Sequence, residues 1–358
     1  MSVDLRKVQN LKITFLVDNS IEWFTKLPAG FSSELKQHLT GHHHAMDPVT
    51  NTPLIDLDNY CCGAHGFGAL IETRVDEASS PQYTLFDTGP DRFSLVRNLK
   101  SVQINTAKIS RVITSHWHSD HTGGLLSFLD YRNEQGAKTA VVVDCHPDRP
   151  FQRGIAPGPN YDKVIGALAR DPEFDAMQSR GAVVDKHAEA HVVAGGGVYV
   201  SGEIPRVTSY EQGIPGARRW NEQKALWEDE EHIMDERYAA IDVLGKGLVI
   251  FSACSHAGIV NVIKHAVDTF SRPIYMIVGG LHLATPDLIE RIAPTVKFLS
   301  ETLRPSPTYI LPMHCSGFPA KIALESAFGE GCIPAGVGMS VDLQGNEEHE
   351  ARLFPAKY

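Results

Sequence analysis

Apolar residues fall along the chain in runs of strand length, at 11–18, 67–75, 83–89, 109–116, 140–146, 196–204, 238–256, 273–283 and 308–315. Many of these runs are rich in Val, Ile and Tyr and are bounded by Gly, Pro, Asn or Asp, as β-strands are. Between them, segments 91–102, 123–136, 257–270, 286–303 and 320–328 repeat apolar residues at helical spacing. Strands and hairpins dominate the first half, and from about 238 strand and helix alternate. This mixture predicts an α/β fold of two sheets with helices packed outside them.

Two stretches break the pattern: about 20–60, which contains His42, His43 and His44, and about 147–235, rich in Pro, Gly and charge. They read as insertions into one domain spanning 1–358, and loops that long inside a domain commonly shape a site. With 42% hydrophobic and 21% charged residues, the chain fits neither a disordered polymer nor a membrane-spanning one. The 33 Lys and Arg against 43 Asp and Glu give a net charge of −10, which disfavours nucleic acid and anionic lipid. A small molecule is the expected partner. The first residues lack the order of a secretory signal, and the six cysteines show no CxxC spacing, so reduced thiols and a cytoplasmic location are expected.

The 17 histidines change the picture, because several stand where apolar runs end. The densest cluster is TSHWHSDHTGG, 114–124, which holds His116, His118, Asp120 and His121 just after a strand. In an extended loop His116 and His118 point the same way and can meet one cation; Asp120 and His121 can meet a second. Carboxylate and imidazole together suit Zn²⁺, Mn²⁺ or Fe²⁺.

This HxHxDH motif, with Asp87, Thr88 and Gly89 upstream, resembles the metallo-β-lactamase superfamily. HGFGALIE, SGEIPR, Asp235–Glu236, ACSHAGIVN, GGLHL and PMHCSG resemble its branch named after 7,8-dihydropterin-6-methyl-4-(β-D-ribofuranosyl)aminobenzene-5′-phosphate synthase. The resemblance implies an αββα sandwich with one or two divalent ions, Zn²⁺ foremost, at one edge. It implies that His256 completes the first ion's set with His116 and His118, and that His314 joins Asp120 and His121 at the second. It further implies hydrolysis by metal-activated water, with Asp120 holding the nucleophile and shuttling its proton. The expected substrate is a small anionic metabolite of the ester, phosphoester or lactone class. Relatives with iron and redox chemistry, and a non-catalytic binding member, are the alternatives.

The chain departs from the common pattern where a bridging aspartate is usual, since Ala253-Cys254 stands there. Cys254 is read as a soft ligand, a group behind the ligands or a small packed side chain. His282 is read as a substrate-facing proton donor or as a turn cap, and His65 in the same two ways. Asp87 is expected to orient a metal-binding histidine. Helix N-termini at Thr122 and Ala257, with Arg206, would favour an anionic substrate group. His42 to His44, His187 and His191 read as exposed loop histidines.

Overall fold

A computed structural model of the chain describes residues 4–41 and 45–358; the His42–His44 run lies outside the described residues. An eight-stranded sheet has the spatial order Phe31–Ser32, Ser340–Gln344, Asn10–Val17, Gly68–Arg74, Gln82–Phe86, Ile109–Ile113, Val141–Cys145, Ala182–Lys186. It is antiparallel as far as Gln82–Phe86 and parallel beyond. A six-stranded sheet has the order His191–Val193, Val198–Val200, Ala239–Val243, Gly247–Ser252, Ile274–Gly280, Tyr309–Met313, its last three strands parallel.

Alternation along the strands divides their side chains between two layers. Ile13, Phe15, Ile71, Phe86 and Ile113 face Ile241, Val249, Phe251, Val278 and Leu311 in a core between the sheets. The intervening residues Leu16, Leu70, Leu85 and Val112 pack outward against Leu95, Leu99, Leu125 and Phe128 of the helices Ser94–Ser101 and Leu125–Glu134. Leu248, Ile250 and Ile277 pack outward against the helix Ile259–Phe270. The architecture is the αββα sandwich. Among the described residues no helix is long and apolar enough to cross a membrane.

Several elements differ from the expectation. The run 238–256 is a hairpin of two strands, Ala239–Val243 and Gly247–Ser252, turning through Gly245 at positive φ. The run 286–303 is not one helix: a 3-10 stretch, Pro286–Arg291, precedes the α-helix Ile292–Lys297 and a wider turn, Phe298–Thr302. Pro294 has no amide hydrogen to extend a continuous ladder there. The segment 147–235 carries ordered structure, including a four-stranded sheet of Arg153–Ile155, Gly166–Ala167, Ala217–Asn221 and Leu226–Asp229.

Candidate metal centre

The site lies at one edge, where strand after strand ends in a polar residue. Asp18 follows Asn10–Val17, Asp87 follows Gln82–Phe86, and the His116 loop follows Ile109–Ile113. From the other sheet, Cys254 and His256 follow Gly247–Ser252, His282 follows Ile274–Gly280, and His314 follows Tyr309–Met313. Parallel strands bring their carboxyl ends to the same edge, so residues more than 200 positions apart meet.

Three imidazoles converge first. His116 Nε2 lies 2.9 Å from His118 Nδ1, and His256 Nε2 lies 3.0 Å from the former and 3.2 Å from the latter. Beside them stand the Asp120, His121, Cys254 and His314 ligand atoms, all within 4.8 Å of one another. Asp120 Oδ2 is 3.2 Å from His314 Nε2 and 3.6 Å from His121 Nε2, and Cys254 Sγ is 3.1 Å from His121 Nε2. Cys254 Sγ groups equally with His116 and His256, so it stands between the two sets.

Buried carboxylates hold these loops from behind. Asp87 accepts from Ser115 N at 2.6 Å and Ser115 Oγ at 2.7 Å, and its Oδ2 lies 2.8 Å from His121 Nδ1. Asp18 accepts from His314 N at 2.6 Å. Four non-glycine residues at this edge, Asp87, Ser255, His282 and His314, adopt positive φ of 43 to 60°. Such backbone is costly and persists only where its surroundings enforce it, which is typical of functional sites.

The same pattern appears in known proteins. A model of the metallo-beta-lactamase superfamily matches residues 82–204, the span that carries Asp87 and the whole HxHxDH loop. The chain is 29% identical over 270 residues to 7,8-dihydropterin-6-methyl-4-(beta-D-ribofuranosyl)-aminobenzene-5'-phosphate synthase of Methanocaldococcus jannaschii, covering 74% of this chain and 85% of that protein. An uncharacterized protein of the same organism is 26% identical over 263 residues, covering 73% of this chain and 87% of its own length. Tm1679, a metal-dependent hydrolase of the beta-lactamase superfamily, superposes with a TM-score of 0.62 at 19% identity, over 93% of this chain and 98% of its own. The chain has the metallo-beta-lactamase fold, and its metal-loop segment matches that superfamily's model.

The donors suit the divalent ions typical of the superfamily. Burial lowers the His116 and His256 pKa well below the usual range and takes His118 to about 3, so these imidazoles are neutral. One proton satisfies one close nitrogen pair and leaves the remaining lone pairs opposed; a cation satisfies all three at once. His121 behaves differently: burial lowers it, but Asp120 and Asp87 outweigh burial and raise it to about 9. For Asp120, burial raises the pKa, while His121 and His314 overcome it and hold the carboxyl well below its usual range. Burial raises the Cys254 thiol well above its usual range.

His282 is half-buried, its ring centroid 4.5 Å from that of His256, and its Nδ1 has no hydrogen-bond partner. His65 is open, its side chain 70% exposed with Nε2 3.9 Å from Asp120 Oδ2 and Nδ1 3.1 Å from Asn19 Nδ2. Arg206 neither reaches the ligands nor forms a surface ion pair; it donates to the His232 carbonyl and approaches Met234 Sδ at 3.6 Å.

Two expectations are corrected. The amides opening the helix Ile259–Phe270 are taken: Val260 N and Asn261 N donate to Glu211 at 3.1 and 3.0 Å, and His256 N and Ala257 N to Glu236 at 2.7 Å. Buried glutamates thus fill the place expected for a substrate anion. At Thr122 no long helix begins, since a short turn, Ser119–Thr122, precedes the helix Leu125–Glu134. His191 is no exposed loop residue either: Nε2 lies 2.8 Å from buried Asp144, and its ring stacks on His187 at 3.9 Å. Asp144 also pairs with Arg111 and Arg237, so this cluster already holds its cations.

Sequence reasoning passed over Asp18, Asn19, Ser115 and Cys315. Asp18 was findable, because it ends its strand as Asp87 does. Cys315, whose Sγ is 3.5 Å from that of Cys254, gave no separable signal.

Proposed function

We propose that the chain is a metal-dependent hydrolase acting on a small anionic metabolite of the ester, phosphoester or lactone class. The observation that carries this reading is the meeting of a three-imidazole set with an Asp120, His121, Cys254 and His314 set at one open edge. His116, His118 and His256 would hold one ion, and Asp120, His121 and His314 a second, with Cys254 in reach of both. Zn²⁺ suits this mixture of imidazole, carboxylate and thiol, with Mn²⁺ and Fe²⁺ the alternatives. A divalent ion in such a site lowers the pKa of water from about 16 toward 7 and polarises the oxygen of the scissile bond.

The chain's own groups do the rest. Asp120 stays ionised and its side chain is 25% exposed, so it can orient water and accept its proton. For His282, burial lowers the pKa, but Cys315 and Glu236 outweigh it and raise it. Its imidazole carries a proton to the leaving group from the cavity it lines.

Metal content after expression without added zinc, and turnover of phosphodiesters, lactones and thioesters, test the reading. Stoichiometric metal and chelator-sensitive turnover that vanishes in Asp120→Ala are expected; unchanged turnover in that variant overturns it. Bound iron with oxygen consumption would favour a redox member instead. A second reading rests on the 29% identity to a protein named as a synthase of a dihydropterin phosphate. Product masses from a pterin-bearing phosphate substrate separate the two, because hydrolysis adds the elements of water.

A further inference from the structure

We propose that the cavity beside His314 is built for an aryl ring carrying an oxyanion, with Phe318 as the platform and Lys321 as the cation. This rests on the hydrolase reading and deepens it by naming the part of the substrate that sets specificity.

The cavity, about 360 Å³, is lined by Asn19, His65, His282 and His314 together with Phe318 and Lys321. That is near the lower end of small-molecule sites, the size for one ring and its substituents rather than for a polymer. His314 and His282 in its wall place whatever fills it against the candidate centre.

Phe318 and Lys321 belong to the start of the helix Phe318–Phe328, entered through Gly317 at φ 84°. A Cβ at residue 317 would meet Ala284 Cα at 2.6 Å, so the helix approaches the His282 loop this closely only with glycine there. Phe318 is 75% exposed at the cavity rim, an apolar face left open to water. Lys321 follows three residues later, which puts both side chains on one face of the helix.

Lys321 is half-buried, and its side chain makes no ion pair or hydrogen bond with any described residue. Three other sheltered cations are matched by carboxylates: Arg153 by Glu230 and Asp235, Arg237 by Asp144, Arg272 by Asp242 and Glu350. A sheltered ammonium in no direct ion pair, beside an open aromatic face, is complementary to a ligand bringing both a ring and negative charge. Carboxylate, sulfonate and phosphate share this chemistry.

The test uses metal-loaded protein and three probes: benzenesulfonate, whose oxyanion is a poor metal ligand, benzyl alcohol as the ring without charge, and sulfate as the charge without the ring. Calorimetric or NMR titration should show benzenesulfonate binding more tightly than either control. Lys321→Met should weaken benzenesulfonate about tenfold and leave benzyl alcohol unchanged. Phe318→Ala should weaken both ring-bearing probes. No measurable benzenesulfonate binding, equal binding of sulfate, or insensitivity to either substitution overturns the proposal. Metal stoichiometry and thermal unfolding of the same samples control for folding. Metal-dependent turnover without discrimination among the probes sinks the cavity assignment alone, whereas absence of bound metal sinks the hydrolase reading.

Discussion

Asp235 and Glu236 are consecutive in the chain, yet their carboxylates grip two different ligand-bearing loops. Asp235 Oδ2 accepts from Trp117 N at 2.7 Å, between His116 and His118, while Glu236 accepts from His256 N and Ala257 N, each at 2.7 Å. One dipeptide therefore fixes the separation of the three imidazoles. Groups that orient ligands from behind are commonly worth about 10–100-fold in metal affinity. Glu236→Gln and Asp235→Asn should each weaken metal binding by about that factor, read by competition with a chromogenic chelator. Unchanged affinity in both would show that the loops hold their spacing without the dipeptide.

Metal removal should destabilise the protein. A ligand present at about 1,000 times its Kd stabilises the folded state by about 4 kcal/mol. Thermal unfolding with and without a strong chelator should differ by several degrees, and re-addition of Zn²⁺ should restore the higher midpoint. Midpoints that coincide would contradict a preformed site.

His282 should matter to turnover more than to metal. His282→Asn should lower kcat about 10²–10⁴-fold, the usual worth of a positioned acid, and remove the alkaline limb of the pH–rate profile. Metal stoichiometry should stay that of the parent. Loss of metal together with activity would make His282 a ligand rather than a proton donor.

Stability should respond to pH in two opposite ways. At Asp144 burial raises the pKa, but His191 and Arg237 outweigh it and hold the carboxyl at about 2 against an ordinary 3.8. A depressed carboxyl stabilises fully above its unfolded pKa, so about 2 kcal/mol should be lost as pH falls from about 4 through about 2. Burial pushes Glu211 up to about 7 from 4.5, in spite of its bonds to Val260 N and Asn261 N. There the folded state binds the proton more tightly, so stability should decline as pH rises from about 4.5 to 7. Glu211→Gln should flatten that decline in denaturant titrations between those limits, and a parallel decline in the variant would assign it to another group.

Most of this centre was legible because the chemistry sits in short motifs. The HxHxDH spacing marked one loop, and the resemblance singled out His256 and His314 from the residues that end later apolar runs. Sheet layering was equally readable, since alternation such as Ile13, Phe15 against Leu16 records both faces of a strand. What escaped depended on distant partners. Glu211 carries no signal in sequence and Glu236 stands there only as half of a motif, and only the folded chain shows them filling a helix start. His191 looked like a loop residue because Asp144, its partner, is 47 positions away. Cys254 could not be assigned from its neighbours, because its place between the two ligand sets is set by three strands at once.

Arg153 stands in the four-stranded sheet of the 147–235 segment, and its guanidinium donates to the Trp117 carbonyl at 2.6 Å and to Asp235 at 2.5 Å. That segment is therefore no detachable ornament that could be trimmed or grafted to retune selectivity in isolation. Excising its four-stranded sheet, and Arg153 with it, would strand the Asp235 carboxylate without its counter-charge, a loss of about 3–5 kcal/mol for a buried pair. Any evolutionary drift in this outlying sheet is transmitted, through one arginine, to the backbone that spaces His116 from His118.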